Sequence, residues 1–199
     1  MMKVRNMVRG GAIVAASLGL ASLGTGMGLT NSSSTLSTSP IVASSPMTIV
    51  GFDAAVAKEH GFRIVTMPDG HQAAVADTVV GNAQVSPDGE VGGDCGISYV
   101  TIASGAPGSF SLLTGFHLDT AATDYEWHVQ VDETDLNYEH DFSWGGPLAF
   151  RTRWYGRDSA VNVPSGDYLA VVSDTSSLAI LWDGGVCYSG GPESSTQVG

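Results

Sequence analysis

Basic residues are scarce in this sequence of 199 residues. There are eight Lys and Arg against 20 Asp and Glu, which gives a formal net charge of −12. Lys and Arg are the residues that neutralise phosphates, so this composition excludes nucleic acid and an anionic membrane surface as partners. Charged residues of both signs make up only 14% of the chain, whereas hydrophobic residues make up 43%. Such a chain can form a packed core, and its large net charge favours a soluble monomer.

The sequence also lacks the short motifs of the common enzyme classes. It contains no usable nucleophile elbow, phosphate-binding loop, zinc-protease motif, Cys-x-x-Cys pair or dinucleotide-binding glycine motif. Paired glycines such as Gly92-Gly93 and Gly145-Gly146 lack the following helix or lysine that phosphate binding requires. The sequence therefore favours a non-catalytic protein over an enzyme.

The first thirty residues have the order of a secretory signal peptide. Lys3, Arg5 and Arg9 precede an uncharged stretch from Gly11 to Leu29 that is rich in Ala, Leu and Gly. The alternative is an uncleaved membrane anchor, which the many small residues of this stretch disfavour. The pattern resembles the export signals of Gram-positive bacteria with GC-rich genomes. We therefore expect a cleaved signal peptide over 1–30 and a secreted, extracellular bacterial protein.

Cysteine is limited to Cys95 and Cys187. In the oxidising environment outside the cell, a disulfide between these two residues is the expected state. A bridge that closes a loop of this length is worth roughly 4–5 kcal/mol of stability by the chain-entropy argument. We expect it to join the beginning and the end of one domain over 95–187.

Two shorter regions are predicted ahead of that domain. Residues 31–47 are rich in Ser and Thr, and they are predicted to form a flexible linker. Residues 48–93 are predicted to form a small module. In it, a helix capped by Asp53 and ended by Gly61 precedes a hairpin around Pro68-Asp69-Gly70. Both a packed subdomain and a removable propeptide fit this module.

Short runs of alternating apolar and polar residues, separated by turns, fill residues 95–187. The clearest run is Tyr125–Val131, with the period of two that is typical of a half-buried strand. Leu148–Tyr155 repeats the pattern with Phe150 on the buried side. At least six such runs predict an antiparallel β-sandwich, and residues 188–199 are predicted to form a flexible tail.

Two positions resemble those of immunoglobulin-like domains. The sequence Pro164-Ser165-Gly166-Asp167-Tyr168 resembles the tyrosine corner of that fold, and Trp127 resembles its core tryptophan. The fold class is therefore predicted to be all-β, an antiparallel immunoglobulin-like β-sandwich with a small N-terminal helix-plus-hairpin module.

Acidic residues are concentrated between Asp119 and Asp141, where the chain has no Lys or Arg. Ca²⁺ binds several oxygen ligands, which alternating carboxylates on a loop can supply. The sequence therefore offers Ca²⁺ as a candidate cofactor in a loop after the third strand. Its ligands would be Asp132, Asp135, Asn137, Glu139 and Asp141. A solvated acidic loop is the alternative that we favour, and a paired-carboxylate hydrolase is a further one.

A weaker metal hypothesis concerns His117, Glu126 and His128. If the second predicted strand, Phe110–Leu118, pairs with the third, Tyr125–Val131, these side chains share a wet face and could bind zinc. Ordinary polar residues on an exposed sheet face are the interpretation that we favour.

Aromatic and basic residues near strand ends suggest a binding surface. Tyr138, Trp144 and Tyr155 are candidate ligand-binding residues, because exposed aromatic rings stack on sugars or anchor protein partners. For Trp144 we favour the alternative that it covers one end of the core. The only basic residues of the domain are Arg151, Arg153 and Arg157. They could bind an anionic group, but we expect them to pair across strands with acids such as Glu126.

Two functional hypotheses follow from these patterns. The first is a secreted, non-catalytic β-sandwich protein that binds a protein or carbohydrate partner or has a structural role at the cell surface. The alternative is a small secreted hydrolase that uses acidic residues, with or without a metal ion. Catalysis requires acids that converge in a pocket, whereas binding requires an exposed aromatic patch.

Overall fold

The computed structural model describes residues 42–77, 85–90, 92, 94–136 and 138–199, with 85–90 as backbone only. The signal peptide predicted over 1–30 lies outside these residues, as does most of the predicted linker. Most of the described chain is β-strand, so the all-β class is confirmed. The elements are β1 (Ala43–Phe52), α1 (Ala54–Glu59), β2 (Phe62–Thr66), β3 (Gln72–Ala76), β4 (Val85–Glu90), β5 (Asp94–Ser104), β6 (Ser109–Glu133), β7 (Tyr138–Val161), β8 (Gly166–Val172), β9 (Leu178–Leu181), β10 (Gly185–Ser189) and β11 (Glu193–Val198).

Five strands close into a ring, in the order β1, β5, β6, β9, β10 and back to β1. Every neighbouring pair in this ring is antiparallel. Straight strands cannot close a ring with an odd number of antiparallel pairs, because strand direction alternates around it. A strand must therefore bend, and the ring differs in this respect from two separate stacked sheets.

The bend lies in the long hairpin of β6 and β7, which have 25 and 24 residues. The pairing of β6 with β7 shifts register between His117 and Ala122 and again between Ala122 and Asp124, and such bulges bend a strand. The first half of β6 pairs with β5, and the second half pairs with β9 and β8. The sequence predicted two separate strands here, because the bulge interrupts the alternation between them.

The predicted alternation of Leu148–Tyr155 is wrong at its start, because β7 has a bulge there. Ala149 and Phe150 have positive φ angles of 49° and 61°, a left-handed conformation that non-glycine residues seldom adopt. The strand therefore loses its period of two at this point. Phe150, predicted to be buried, is 57% exposed, and its ring meets the ring of His60 at a centroid distance of 5.3 Å.

The core contains both aromatic residues that carried the immunoglobulin-like resemblance. Trp127 is fully buried, and its indole Nε1 donates a hydrogen bond to Thr114 Oγ1 at 2.9 Å. Tyr168 is also fully buried, and its hydroxyl donates to the Pro164 carbonyl oxygen at 2.8 Å. Each polar group thus has a partner, which removes most of the cost of burying it.

The Tyr168 hydroxyl is expected to contribute about 1 kcal/mol, the usual net value of such a hydrogen bond. Tyr168→Phe should lower the free energy of unfolding in urea by that amount, because it leaves the ring and removes the donor. The matched control is Tyr188→Phe on β10. Tyr188 is half-buried, and its hydroxyl has no hydrogen-bond partner in the described part of the chain. An equal loss in both variants would contradict a special role for the Tyr168–Pro164 bond.

Alkaline pH gives a second measurement on the same variant. Burial raises the pKa of Tyr168, and the nearby Tyr138 and Glu133 add to the effect. The folded protein therefore keeps this proton at a pH where the unfolded chain loses it. The associated stability is present below about pH 10 and is lost as the pH rises further. The decline should be shallower in Tyr168→Phe than in the wild type.

The predicted disulfide between Cys95 and Cys187 is present, and both cysteines are buried. Cys95 lies on β5 and Cys187 on β10, and these two strands flank β1 in the ring. The bridge therefore holds together the two neighbours of β1. A buried disulfide is typical of an oxidising or non-cytoplasmic environment. Within the described ranges, no helix has the length and apolar character to cross a membrane.

The domain extends beyond the predicted range of 95–187 at both ends. β1 covers residues assigned to the predicted linker and module, yet it pairs with β5 and β10 inside the ring. Removing 48–93 as a propeptide would take away part of a ring strand. Residues 193–198, predicted to lie in a flexible tail, form β11 and pair with β8. Hydroxyls of Ser194 and Thr196 on β11 also accept hydrogen bonds from the backbone of β5, at Ile102 and Ser104.

The predicted helix and hairpin are present and pack on the ring. The Asp53 carboxylate caps α1 by accepting bonds from the Ala55 and Val56 amides at 2.8 and 3.1 Å. β2 pairs with β3, and β4 extends this small sheet. The Asp53 amide donates to the Gly184 carbonyl at 2.7 Å. A Cβ at residue 184 would lie only 2.7 Å from the Ala57 Cβ, so glycine is what allows this close approach.

Candidate functional site

The outer face of β5, the first half of β6 and the second half of β7 carries side chains in cross-strand rows. We name this surface the arginine–tyrosine face. Its rows are Ile97 with His117 and Arg153; Tyr99 with Gly115 and Tyr155; Thr101 with Leu113 and Arg157; and Ala103 with Ser111 and Ser159. The intervening residues of β5 and β6 point to the core, as strand alternation requires.

Gly115 gives the central row its shape. A Cβ at residue 115 would lie 2.8 Å from the Tyr99 hydroxyl oxygen and 2.9 Å from the Tyr155 Cα. The absence of a side chain on Gly115 therefore allows the Tyr99 side chain to lie across β6. Burial raises the pKa of Tyr99, the nearby Tyr155 adds to the effect, and Arg157 opposes it. Tyr155 itself is 63% exposed, so its aromatic ring is accessible to solvent.

Arg151, Arg153 and Arg157 alternate along β7, and all three are exposed. The salt bridges of the described residues join Arg63 with Asp77 and His71 with Asp69, so none involves these three arginines. The predicted pairing with Glu126 is wrong because of the bulges. They set Ala122 opposite Arg151 and His117 opposite Arg153, and Glu126 lies opposite Gly145.

Arg157 contacts the exposed tyrosine. Its guanidinium carbon lies 5.5 Å from the centroid of the Tyr155 ring, within the range of a cation–π interaction. This contact holds the guanidinium in place through the Tyr155 ring. Its N–H groups form no salt bridge with a carboxylate of the described residues. Arg157 can therefore still donate hydrogen bonds to a ligand.

Two shallow grooves lie along the second half of β7, and Tyr155 lines the first of them. The first has a volume of about 510 Å³, and its lining includes Tyr125, Leu148, Arg151, Arg153 and Trp154. The second has a volume of about 370 Å³, and its lining includes Thr101, Ala103, Ser111, Leu113, Arg157 and Asp158. Each groove thus combines apolar walls with at least one exposed arginine.

An unsatisfied polar atom lies in the wall of the second groove. Thr101 is only 5% exposed, and its hydroxyl oxygen has no hydrogen-bond partner. Buried hydroxyl groups are normally paired, because leaving one unpaired costs free energy. Thr101 thus lines the second groove together with Arg157, with its hydroxyl oxygen buried beneath the surface.

The three predicted ligand-binding aromatics are not brought together. Tyr155 lies on the arginine–tyrosine face. Trp144 is half-buried at the margin of the core, where it stacks on Phe142 at an interplanar angle of 8°. Tyr138 lies at the far end of β7 and packs edge-on against Tyr168 with a centroid distance of 5.8 Å. The core placement that we favoured for Trp144 agrees with this contact.

The predicted calcium ligands lie around the turn of the long hairpin and not on a separate loop. Asn137 falls outside the described residues. Asp132 is opposite Glu139, Asp141 is opposite Gln130, and Asp135 is in the exposed turn. Among residues that the structure describes, no group of three or more His, Cys, Asp or Glu side chains could hold a metal ion. The calcium site stays a prediction.

The buried acid of this region is Glu133, which the predicted ligand set omitted. Its carboxylate accepts hydrogen bonds from the backbone amides of Asp135, at 2.9 Å, and Leu136. Glu133 therefore stabilises the hairpin turn. Sequence spacing alone did not distinguish this role from metal binding, because the role requires the Glu133 side chain to fold back onto the turn.

The premise of the zinc hypothesis is wrong, because His117 and His128 belong to one continuous strand. His117 lies opposite Arg153 before the bend, whereas Glu126 and His128 lie opposite Gly145 and Ser143 beyond it. The two histidines are therefore not neighbours across a strand pair.

Comparisons with known proteins provide no relative from which to transfer a function. No family model matches this chain, and no curated protein is significantly similar to it. The candidate site therefore depends on its own geometry. The sequence contained one signal for it, the alternation of Arg151, Arg153, Tyr155 and Arg157. Nothing local linked that run to Tyr99 and Thr101, which β5 contributes.

Proposed function

We propose that this protein is an exported, non-catalytic module that binds a glycan chain through the arginine–tyrosine face. The observation that carries the proposal is the exposed ring of Tyr155, flanked on β7 by arginines without carboxylate partners among the described residues. Aromatic rings pack on the apolar faces of sugars, and guanidinium groups donate several hydrogen bonds in a fixed geometry.

The size of the face favours a glycan over a protein partner. Its rows run from residue 97 to residue 103 of β5, which is about 20 Å, and its three strands are about 10 Å across. The resulting area of roughly 200–300 Å² is well below the ~800 Å² that each partner buries in a standard protein interface. An extended sugar chain needs a narrow surface of this kind, and two grooves lie along it, one of them lined by Tyr155.

Other parts of the proposal rest on separate observations. Export is supported by the buried disulfide, which needs an oxidising environment to form. An immunoglobulin-like relationship is supported by the Tyr168–Pro164 hydrogen bond and by Trp127 in the core, and the closed ring is the feature that it does not explain. The acids that the alternative hydrolase would use line one open groove at the turn of the long hairpin, namely Asp132, Glu133, Asp135 and Glu139, but within the described ranges no group of three or more could hold a metal ion.

Glycan binding by Tyr155 can be tested by affinity electrophoresis of the oxidised protein through gels that contain soluble polysaccharides. Tyr155→Ala should weaken binding about tenfold, since a central aromatic contact is worth ~1.4 kcal/mol or more. Phe150→Ala is the matched control, because Phe150 is a similarly exposed aromatic residue of β7 outside the face. Equal losses in the two variants, or no retardation by any polysaccharide, would contradict the proposal.

A further inference from the structure

We infer that the glycan carries carboxylates, which Arg153 and Arg157 hold on either side of a sugar ring stacked on Tyr155. This inference rests on the proposed function and names the chemistry that the arginine–tyrosine face would select. It concerns the class of ligand, a polysaccharide that contains uronic acid, and three features of the face support it.

The first feature is the charge of the surface relative to the rest of the chain. The sequence has 20 acidic residues and eight basic ones, yet three exposed arginines on one strand have no acidic partner in the described ranges. The planar fork of a guanidinium matches a carboxylate through two parallel N–H···O bonds. Because the net negative charge of the chain repels polyanions at a distance, binding must come from such local contacts.

The second feature is the spacing of the two arginines. Arg153 and Arg157 are each two residues from Tyr155 along β7, so their Cα atoms are about 13 Å apart. Arg153 lines the first groove and Arg157 the second, with the exposed tyrosine between them. This arrangement forms two anion subsites on one line, separated by a stacking platform.

The third feature is the wall of the second groove. Ser111 and Asp158 are exposed polar residues beside Arg157, and beneath them the Thr101 hydroxyl is buried without a partner among the described residues. These groups complement sugar hydroxyls, which both donate and accept hydrogen bonds. Asp158 also repels a carboxylate placed on its side of the groove, so it favours one orientation of the chain. A polyanion without hydroxyls has no hydroxyl to donate to Asp158 or to the oxygen of Ser111, whose own proton goes to the Ala103 carbonyl oxygen.

The test is a titration calorimetry panel on the oxidised full chain. The probes are polygalacturonate, the same polymer with its carboxyl groups reduced, dextran sulfate and polyglutamate. Polygalacturonate should bind best. The double variant Arg153→Gln/Arg157→Gln should lower the affinity for polygalacturonate about a hundredfold, because each lost guanidinium is worth roughly tenfold. The control Lys58→Gln/Arg63→Gln removes the same charge from the small module and should leave the affinity unchanged.

Each contrary outcome has a distinct meaning. Equal binding of the carboxyl-reduced polymer would overturn the carboxylate inference and leave the proposed glycan function standing. Tighter binding of dextran sulfate would overturn the carboxylate inference in favour of sulfated sugars. Binding of polyglutamate alone would overturn both proposals and assign the face to an acidic protein. Absence of binding to all four probes would also overturn both.

Discussion

Replacing Cys95 and Cys187 together by alanine is expected to lower the free energy of unfolding by about 4 kcal/mol. The bridge spans a sequence separation of 92 residues, so its loss frees a long loop in the unfolded chain. In the folded state it also holds β5 and β10 on either side of β1. Urea unfolding at constant pH and temperature measures the change.

The wild type treated with a reductant is the natural control, because it loses the bridge without any change of sequence. Its stability should fall to nearly that of the double alanine variant, since both sulfurs are buried and alanine leaves only a small space. Amide exchange should show β1 opening first in both forms. A loss of less than about 1 kcal/mol would contradict the view that the bridge limits the unfolded ensemble.

Local signals in the sequence predicted the local parts of this structure. The Asp53 cap, the hairpin of β2 and β3, and the Tyr168 corner each depend on a few neighbouring residues. The disulfide was predictable for a different reason, because only one pairing of two cysteines exists.

Long-range pairing explains what the sequence did not predict. β1 overlaps the end of the predicted linker and has a mixed composition, and only its position between β5 and β10 makes it a ring strand. β11 is rich in Ser and Thr, so its alternation is weak, and its hydroxyls act on β5 instead. β6 seemed to be two strands because its bulge hides the continuity of the backbone.

The candidate site shows the same division between local and long-range information. Alternation placed the arginines and Tyr155 on one side of a strand, but it could not say what lies opposite them. Register decided that point, since the shifts around Ala122 set His117 opposite Arg153 and Ala122 opposite Arg151, and they set Asp124 and Glu126 opposite Pro147 and Gly145. Arg157 lies opposite Leu113 in the regular part of the strand pair, so in the described part of the chain none of the three arginines forms a salt bridge.

Trp127→Ala is expected to lower the free energy of unfolding by about 4 kcal/mol through a cavity in the folded state. The indole is fully buried, with its ring centroid 5.1 Å from that of Phe116 and 6.0 Å from that of Trp154. The variant also leaves the Thr114 hydroxyl without its indole donor. Trp127→Phe keeps most of the volume and should cost about 2 kcal/mol, and a loss as large as that of alanine would contradict the cavity explanation.

The tryptophan and cysteine variants should differ in their urea m-values, although their stability losses are similar. The m-value follows the surface exposed on unfolding, and a chain freed of its disulfide expands further. The m-value should therefore rise when Cys95 and Cys187 are replaced. It should stay unchanged in Trp127→Ala, which acts on the folded core and shifts only the midpoint. A common rise in both variants would mean that the Trp127 cluster persists in the unfolded chain, and the core argument for this residue would then be wrong.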